Sequence, residues 1–360
     1  MVILGFWLVF LVCSFTLQII HWVFIFSRLA KNIQVKSTNF ENPVSIIICA
    51  RNARLQLEHN LFAFLNQDYS AFEVIVVDDD STDGSFEWLT SLSRNQPKLR
   101  IFKNQKTKEG KKQALQLGIS KARHSWIALS DADCKPSTSL WLKMMLLNVY
   151  QDTKIVLGYA PYNFKSGWLN KLIRFECAIN SIQYLSAAQS GIPYMGTGRN
   201  LIYHKSIYSA FAMQPEIAYG DDDLLIGSKA TNENTRICIS PMSFIYTEPS
   251  STYHSYFSQK WRHYAASIHY KLKVQIYLMS YYFSFIGFFI SGAIILFSPN
   301  SIFSFVLLTI YFAICWSIFA KLMKRLKEEN LTAYFPFLCL LYIGHLMLQI
   351  PFLFIQKKSW

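Results

Sequence analysis

Residues 74–85 read VIVVDDDSTDGS: four β-branched residues, three aspartates, then Ser81, Thr82, Asp83 and Gly84. An apolar run too short for a helix and closed by turn-forming residues reads as a strand buried on both faces. Outward from it, residues 44–49, 100–103 and 127–130 read as three more strands. Residues 57–66, 85–93, 111–121 and 139–150 carry apolar side chains at helical spacing. Strand and helix therefore alternate, which predicts an α/β domain with a largely parallel sheet covered by helices on both faces.

In such a sheet ligands gather at the carboxyl ends of the strands. Here those ends are acidic: Asp78, Asp79 and Asp80 follow one strand, and Asp131 and Asp133 follow another. One acidic strand end is ordinarily a turn or a helix cap; two in neighbouring strands favour a metal or sugar site. Carboxylate oxygens suit Mg2+ or Mn2+, and such an ion suits a phosphorylated ligand. The turn after the first strand is Ala50, Arg51, Asn52, neither a Walker loop nor a GxGxxG fingerprint, so ATPase and dehydrogenase chemistry lose their usual support.

The chain has 360 residues, of which 52% are hydrophobic and 16% aromatic, more than an ordinary soluble enzyme carries. The excess collects in residues 2–26, 276–297, 302–320 and 334–355. Each stretch is roughly 20 residues long and nearly uncharged, the length that crosses a hydrocarbon core as helix. The first has no basic residue before it and is long for a signal peptide, so it reads as a retained anchor. Arg28, Lys31 and Lys36 follow it; Lys260, Arg262, Lys271 and Lys273 precede the second, and Lys321, Lys324, Arg325 and Lys327 follow the third. Basic flanks mark the cytoplasmic side, so a multi-pass membrane protein with a cytoplasmic central domain is expected, in the inner membrane if the source is bacterial. Lys357 and Lys358 break the pattern, because a fourth crossing places them outside; a re-entrant last segment is the alternative.

The same flanking residues account for most of the net charge of +13, and nucleic acid is not an expected partner. Seven scattered cysteines without a CxxC pair argue against a disulfide framework or a zinc site. The expected division is an anchor (1–27), a basic linker (28–42), the α/β domain (43–250), an amphipathic interface helix (251–275) and a membrane region (276–360). Trp168, Leu172, Phe175, Ile179 and Ile182 make one apolar helical face, and Phe257, Trp261, Tyr264, Ile268 and Leu272 another. Either suits a core helix; the second, flanked by lysines, is expected on the cytoplasmic membrane surface.

VSIIICARN, VIVVDDDSTDGS, GKKQALQLGI, ALSDADC, GDDDLL and QKWRH succeed one another between residue 43 and about residue 270. As an ordered set they resemble the family 2 glycosyltransferases, inverting enzymes with the GT-A fold, a Rossmann-like nucleotide-sugar-binding domain. One anchor before the domain and about three spans after it resemble the membrane-embedded branch, with the cellulose, chitin and hyaluronan synthases and ceramide glucosyltransferase. The resemblance implies a nucleotide sugar, most simply a UDP-sugar, with Cys49, Arg51 and Asp79 against the base, Asp79 accepting from uracil, and Lys111 near the nucleotide. Asp131 and Asp133 match the DxD motif, which implies a divalent ion on Asp133 and the ribose and donor sugar near Asp131.

Asp222 matches the general base of the family's ED pair, with Asp221 in the place of the glutamate. An acceptor hydroxyl needs a carboxylate to take its proton as it attacks. Leu224 and Leu225 come next, so the three acids also read as the start of a helix, where the dipole favours them. Gln259 and Arg262 match QxxRW, three apart on one helical face, with His263 in place of the tryptophan. By resemblance Arg262 faces the diphosphate, Gln259 the acceptor, and His263 lines the site. Gly198 and Asn200 belong to a glycine-containing segment that flanks the acceptor cleft in the family; a tight turn explains the glycine equally well. The histidine variant and the few spans favour a lipid-linked or short glycan acceptor, with a processive polysaccharide synthase as the alternative. A sugar-nucleotide sensor or assembly partner is the non-enzymatic alternative; a transporter is disfavoured by the nearly uncharged spans.

Overall fold

A computed structural model describes residues 2–31, 41–105, 110–150, 152–208, 221–267 and 270–349. The N-terminal apolar stretch is helix α1 (Val2–Ile20), continued through a π-helical segment (His21–Phe26) into α2 (Ser27–Ala30). The α/β part opens with β1 (Val44–Ala50), α3 (Arg54–Leu65), β2 (Phe72–Asp78), α4 (Ser85–Ser93), β3 (Leu99–Lys103), α5 (Lys112–Lys121) and β4 (Trp126–Asp131). It continues with β5 (Cys134–Pro136), α6 (Trp141–Leu146), β6 (Ile155–Gly158), α7 (Trp168–Gln189), β7 (Leu201–His204), α8 (Asp221–Lys229), β8 (Thr235–Cys238) and β9 (Ile245–Thr247). Four helices close the described chain: α9 (Tyr253–Ser267), α10 (Leu272–Leu296), α11 (Ser301–Leu326) and α12 (Phe335–Gln349).

Seven strands form one sheet in the order β3-β2-β1-β4-β7-β6-β8. β1 runs parallel to β2 and β4, and β2 to β3, but β7 lies antiparallel between β4 and β6. The parallel expectation thus holds for the first half of the sheet and gives way at β7. β5 and β9, three residues each, make a separate antiparallel pair beside the main sheet.

The uninterrupted apolar runs of β1 and β2 reflect burial on both faces. Ile46, Ile48, Val74 and Val76 pack with Leu57, Leu61 and Phe64 of α3 and Trp141 of α6; Ile47, Ile75 and Val77 pack with Leu115 and Ile119 of α5. Successive residues point to opposite layers, so both must be apolar. Gly118 lets α5 sit close to the sheet, since a Cβ there would stand 2.7 Å from Ile47 Cγ2. The helix expected over 139–150 is shorter, Trp141–Leu146.

Among the described residues, four helical segments are long and apolar enough to cross a membrane: 3–30, 272–296, 301–326 and 329–349. α1 packs along α10, and Gly287 makes the close approach, because a Cβ there would meet the Phe10 ring at 2.7 Å. The 168–182 stretch belongs to α7, a core helix buried along nearly its whole length between the sheet strand β8 and the helices α2, α11 and α12.

Candidate active site

The carboxyl ends of β1, β2 and β4 meet at one edge, where register places Cys49 beside Val77 on one side and Asp131 on the other. The loops leaving β1 and β2 are tied together. Asn52, at φ 49°, donates its N–H to Ser81 Oγ at 2.9 Å, and its side-chain oxygen accepts from the Thr82 N–H at 2.8 Å. The Asp79 N–H donates to Ala50 O at 2.8 Å.

This locking separates the aspartates that come after β2. Asp78 is buried and accepts the Ser81 N–H at 3.1 Å, closing the turn. Asp83 accepts from the Arg54 N–H at 3.0 Å and from the Ser85 N–H at 3.1 Å, at the start of α4. Slight burial opposes its charge, and these hydrogen bonds outweigh it and hold the Asp83 carboxyl below its ordinary range. Asp79 is the one presented at the strand end: it is buried, and Asn104 donates to its Oδ1 at 2.6 Å. Asn104 escaped the sequence reading; its signal is a lone amide directly after β3.

Lys111, one residue before α5, forms an ion pair with Asp131 Oδ1, and both side chains are partly exposed. Arg51 is exposed beside the Cys49 strand end. Asp133 is exposed, while its backbone is held: its carbonyl accepts from Thr247 Oγ1 at 3.4 Å, and neighbouring Ala132 O accepts from Asn60 Nδ2 at 3.2 Å. The small β5–β9 ladder, pairing Cys134 with Thr247, therefore anchors the loop that carries Asp133. Ligand atoms of Asp131, Asp133 and Cys134 lie within 4.8 Å of one another. Burial pushes the Cys134 thiol well up, and the charges of Asp131 and Asp133 add to the shift. A protonated thiol beside two carboxylates is an oxygen-donor set, which fits a hard divalent ion such as Mg2+ or Mn2+.

Arg199, also unassigned from sequence, stands behind this loop, its guanidinium over the Tyr162 ring at 4.7 Å and its Nη2 donating to Ala160 O at 3.2 Å. Ser130 Oγ on β4 donates to Arg199 O at 3.1 Å, fixing the Gly198–Arg199 turn to the strand that ends in Asp131. Asn200 needs correction. It is fully buried, donates to Tyr159 O at 2.7 Å and Ser243 O at 2.8 Å, and accepts from Trp141 Nε1 at 2.9 Å. An amide so engaged braces the fold and has no face for a sugar.

Asp221, Asp222 and Asp223 are the first described residues of α8; their side chains lie outside the described part of the structure. The same holds for the side chains of Arg262 and His263 on α9. Gln259 is half-buried, and Ser250 Oγ donates to its Oε1 at 3.4 Å. Lys260, read from sequence as a membrane-flanking cation, is buried, with Nζ 3.3 Å from Glu176 Oε1. Burial opposes its charge, and Glu176 outweighs it and holds the ammonium above its usual value.

The glycosyl transferase family 2 model matches residues 45–211, a stretch that contains the carboxyl ends of β1, β2 and β4. Over those residues the chain is similar to the family 2 glycosyltransferases. Two uncharacterized glycosyltransferases of Haemophilus influenzae resemble it. One is 28% identical over 143 residues, 39% of this chain and 41% of its own length. The other is 32% identical over 146 residues, 41% of this chain and 57% of its own. The match therefore spans roughly half the length of these curated relatives. A solved structure of the mannosyltransferase PcManGT from Pyrobaculum calidifontis, in complex with GDP-Man and Mn2+, superposes with a TM-score of 0.62 at 15% identity, over 94% of this chain and 98% of that one. That likeness is one of fold: the family 2 domain is of the GT-A type, with apolar helices before and after it.

Proposed function

We propose that the protein is a membrane-attached, inverting glycosyltransferase that moves a sugar from a nucleotide sugar, a UDP-sugar, to a lipid-linked or short glycan acceptor. The observation that carries this is the convergence of Cys49, Arg51, Asp79, Lys111, Asp131 and Asp133 around the ends of β1, β2 and β4 in a family 2 domain.

Cys49 and Arg51 flank the base, and Asp79, oriented by Asn104, accepts from a ring N–H of uracil. Lys111 and Asp131 sit on the ribose and diphosphate side, and Asp133, with Asp131 beside it, would hold Mg2+ or Mn2+. When bound, that ion stabilises the charge gathering on the leaving diphosphate. Asp222 takes the proton from the acceptor hydroxyl as its oxygen bonds to the anomeric carbon from the face opposite the diphosphate, so the configuration inverts. Arg262 and Gln259, three apart on α9, are assigned to the diphosphate and the acceptor. The domain works at the cytoplasmic face, the side on which the basic residues flanking the apolar helices cluster.

The test is nucleotide release by the purified full chain from a panel of UDP- and GDP-sugars, with and without lipid extract and with EDTA. Release from a UDP-sugar that lipid extract stimulates and EDTA stops is expected. Release from none of the donors under any condition contradicts the proposal.

A further inference from the structure

The packing of α1, α10 and α11 supplies a depth scale. Gln18 Nε2 donates to Tyr281 O at 2.9 Å, His21 Nε2 lies 2.9 Å from Ser280 Oγ, and Trp22 stacks edge-on against Phe319 at 6.4 Å. These residues share one level, ten residues or fewer along their helices from Arg28, Lys271 and Lys324. The opposite ends meet where Leu8, Val12, Asn300 and Phe303 line a common groove. From Tyr281 to Leu296 a helix rises about 22 Å. Most of a hydrocarbon core of about 30 Å therefore lies between the two levels.

α12 begins at the first level, with Phe335 stacked on Phe319 at 4.4 Å and edge-on to Trp22 at 5.7 Å. A crossing helix would carry His345, ten residues on, about 15 Å away toward the other side. His345 instead meets the globular domain. Its Nε2 is 3.3 Å from Glu176 Oε2 on α7, its Nδ1 is 2.9 Å from Tyr253 OH on α9, and the Tyr256 ring stacks on it at 5.3 Å. Between these points Tyr342 packs on Phe175 at 5.7 Å and on Phe285 at 6.1 Å, Phe285 being only one turn beyond Tyr281. α12 thus runs along α7, from Trp168 against Phe337 at one end to Glu176 against His345 at the other, and α7 packs on strand β8 of the sheet.

The two faces of α12 agree with this course. Phe335, Leu338, Tyr342, His345 and Gln349 are buried on the domain, while Phe337, Leu340, Met347 and Leu348 are about half exposed on the other side. Beside its start, Lys171 Nζ lies over both the Trp168 ring at 4.9 Å and the Tyr334 ring at 4.7 Å, an aromatic and cationic edge of the kind that sits among lipid headgroups.

We propose that α12 does not cross the bilayer but lies in the plane of the cytoplasmic leaflet, its exposed apolar stripe in lipid and its buried face clipped to α7 and α9 by Glu176, Lys260 and His345. This rests on α1, α10 and α11 being spans. With no fourth crossing, the charge conflict that Lys357 and Lys358 raise in the sequence falls away. The placement also ties α9, the helix of Gln259 and Arg262, to the membrane surface.

The test places a short epitope at one of three positions of the full chain: between Asp152 and Thr153 on the domain, between Pro299 and Asn300, or after Trp360. Antibody binding is scored in cells whose outer surface is accessible, before and after the membrane is permeabilised. The expected result is that the epitope at 299–300 binds before permeabilisation and the other two only after it. A C-terminal epitope that binds together with the one at 299–300 overturns the proposal. So do three epitopes on one side, since α10 and α11 then do not span. The assay reads no catalysis, so its outcome is independent of whether sugar transfer is found.

Discussion

Lys111 and Asp131 are ion-paired across the sheet edge, α5 supplying the cation and β4 the carboxylate, while Asp133, two residues on, is exposed. The pairing divides the labour of the DxD motif: Asp131 is already partly neutralised, and Asp133 is the stronger attraction for a divalent ion. Asp133→Asn is therefore expected to weaken metal-dependent donor binding by at least about tenfold, or roughly 1.4 kcal/mol. Lys111→Met weakens donor binding as well but leaves the metal requirement in place. Calorimetric titration of a UDP-sugar at several Mn2+ concentrations separates the two.

Asn104 Nδ2 donates to Asp79 Oδ1 at 2.6 Å, at the position proposed for the nucleobase. Asn104→Leu removes the donor and leaves the fold of the strand ends unchanged. Affinity for UDP is expected to fall about tenfold or more, the span set by a charge-assisted hydrogen bond of roughly 1.5–3 kcal/mol. Comparing UDP with free diphosphate makes the check: only the base-containing ligand should respond.

Asn200 braces three segments through its side chain, and Gly158 leaves the room for it, since a Cβ at 158 would stand 2.5 Å from the amide carbon. Asn200→Ala strands the Trp141 N–H and two carbonyls in the interior, a loss of about 2–4 kcal/mol. Gly158→Ala acts through the same clash. Thermal unfolding should show both losses, with donor affinity per folded molecule near that of the unaltered chain. A normal melting temperature with lost acceptor binding would return Asn200 to the sugar site.

Glu73 lies at the other end of β2, accepting from Ser45 Oγ at 2.6 Å, the Arg123 N–H at 2.7 Å and Arg100 Nη1 at 2.8 Å. Burial pushes its pKa up, but the hydrogen bonds and the Arg100 charge outweigh that and leave it below the ordinary 4.5. A depressed carboxyl binds fewer protons folded than unfolded, so its stabilisation is complete above 4.5 and is lost as pH falls through the lowered value. Glu73→Gln should lower stability near neutrality and flatten the acid limb of a stability profile followed by circular dichroism.

The parts legible in the sequence are those where one local pattern decides. The four-residue run ahead of Asp78 had to be buried on both faces, and the turn to Gly84 opens α4 at Ser85, where the spacing predicts it. β5 and β9 carry no such signal, being three residues each and defined only by their mutual pairing, yet they anchor the Asp133 loop. Lys260 and Asn200 misled for a related reason: a lysine among membrane-flanking cations and an asparagine after a glycine turn look exposed. Only the tertiary partners Glu176, Trp141 and Tyr159 reveal them as buried. β7 is legible as a strand but not in direction, because LIYH says nothing of which neighbours it joins.

Asp222, on α8, is the proposed proton acceptor, and its replacement tests glycosyl transfer most directly. Membranes carrying Asp222→Asn should bind the UDP-sugar within a few-fold of the unaltered chain while transfer to lipid extract drops by about 10³-fold or more, the scale of a lost general base plus its positioning. Transfer at the unaltered rate would remove Asp222 from the reaction and, with it, the proposed route to an inverted product.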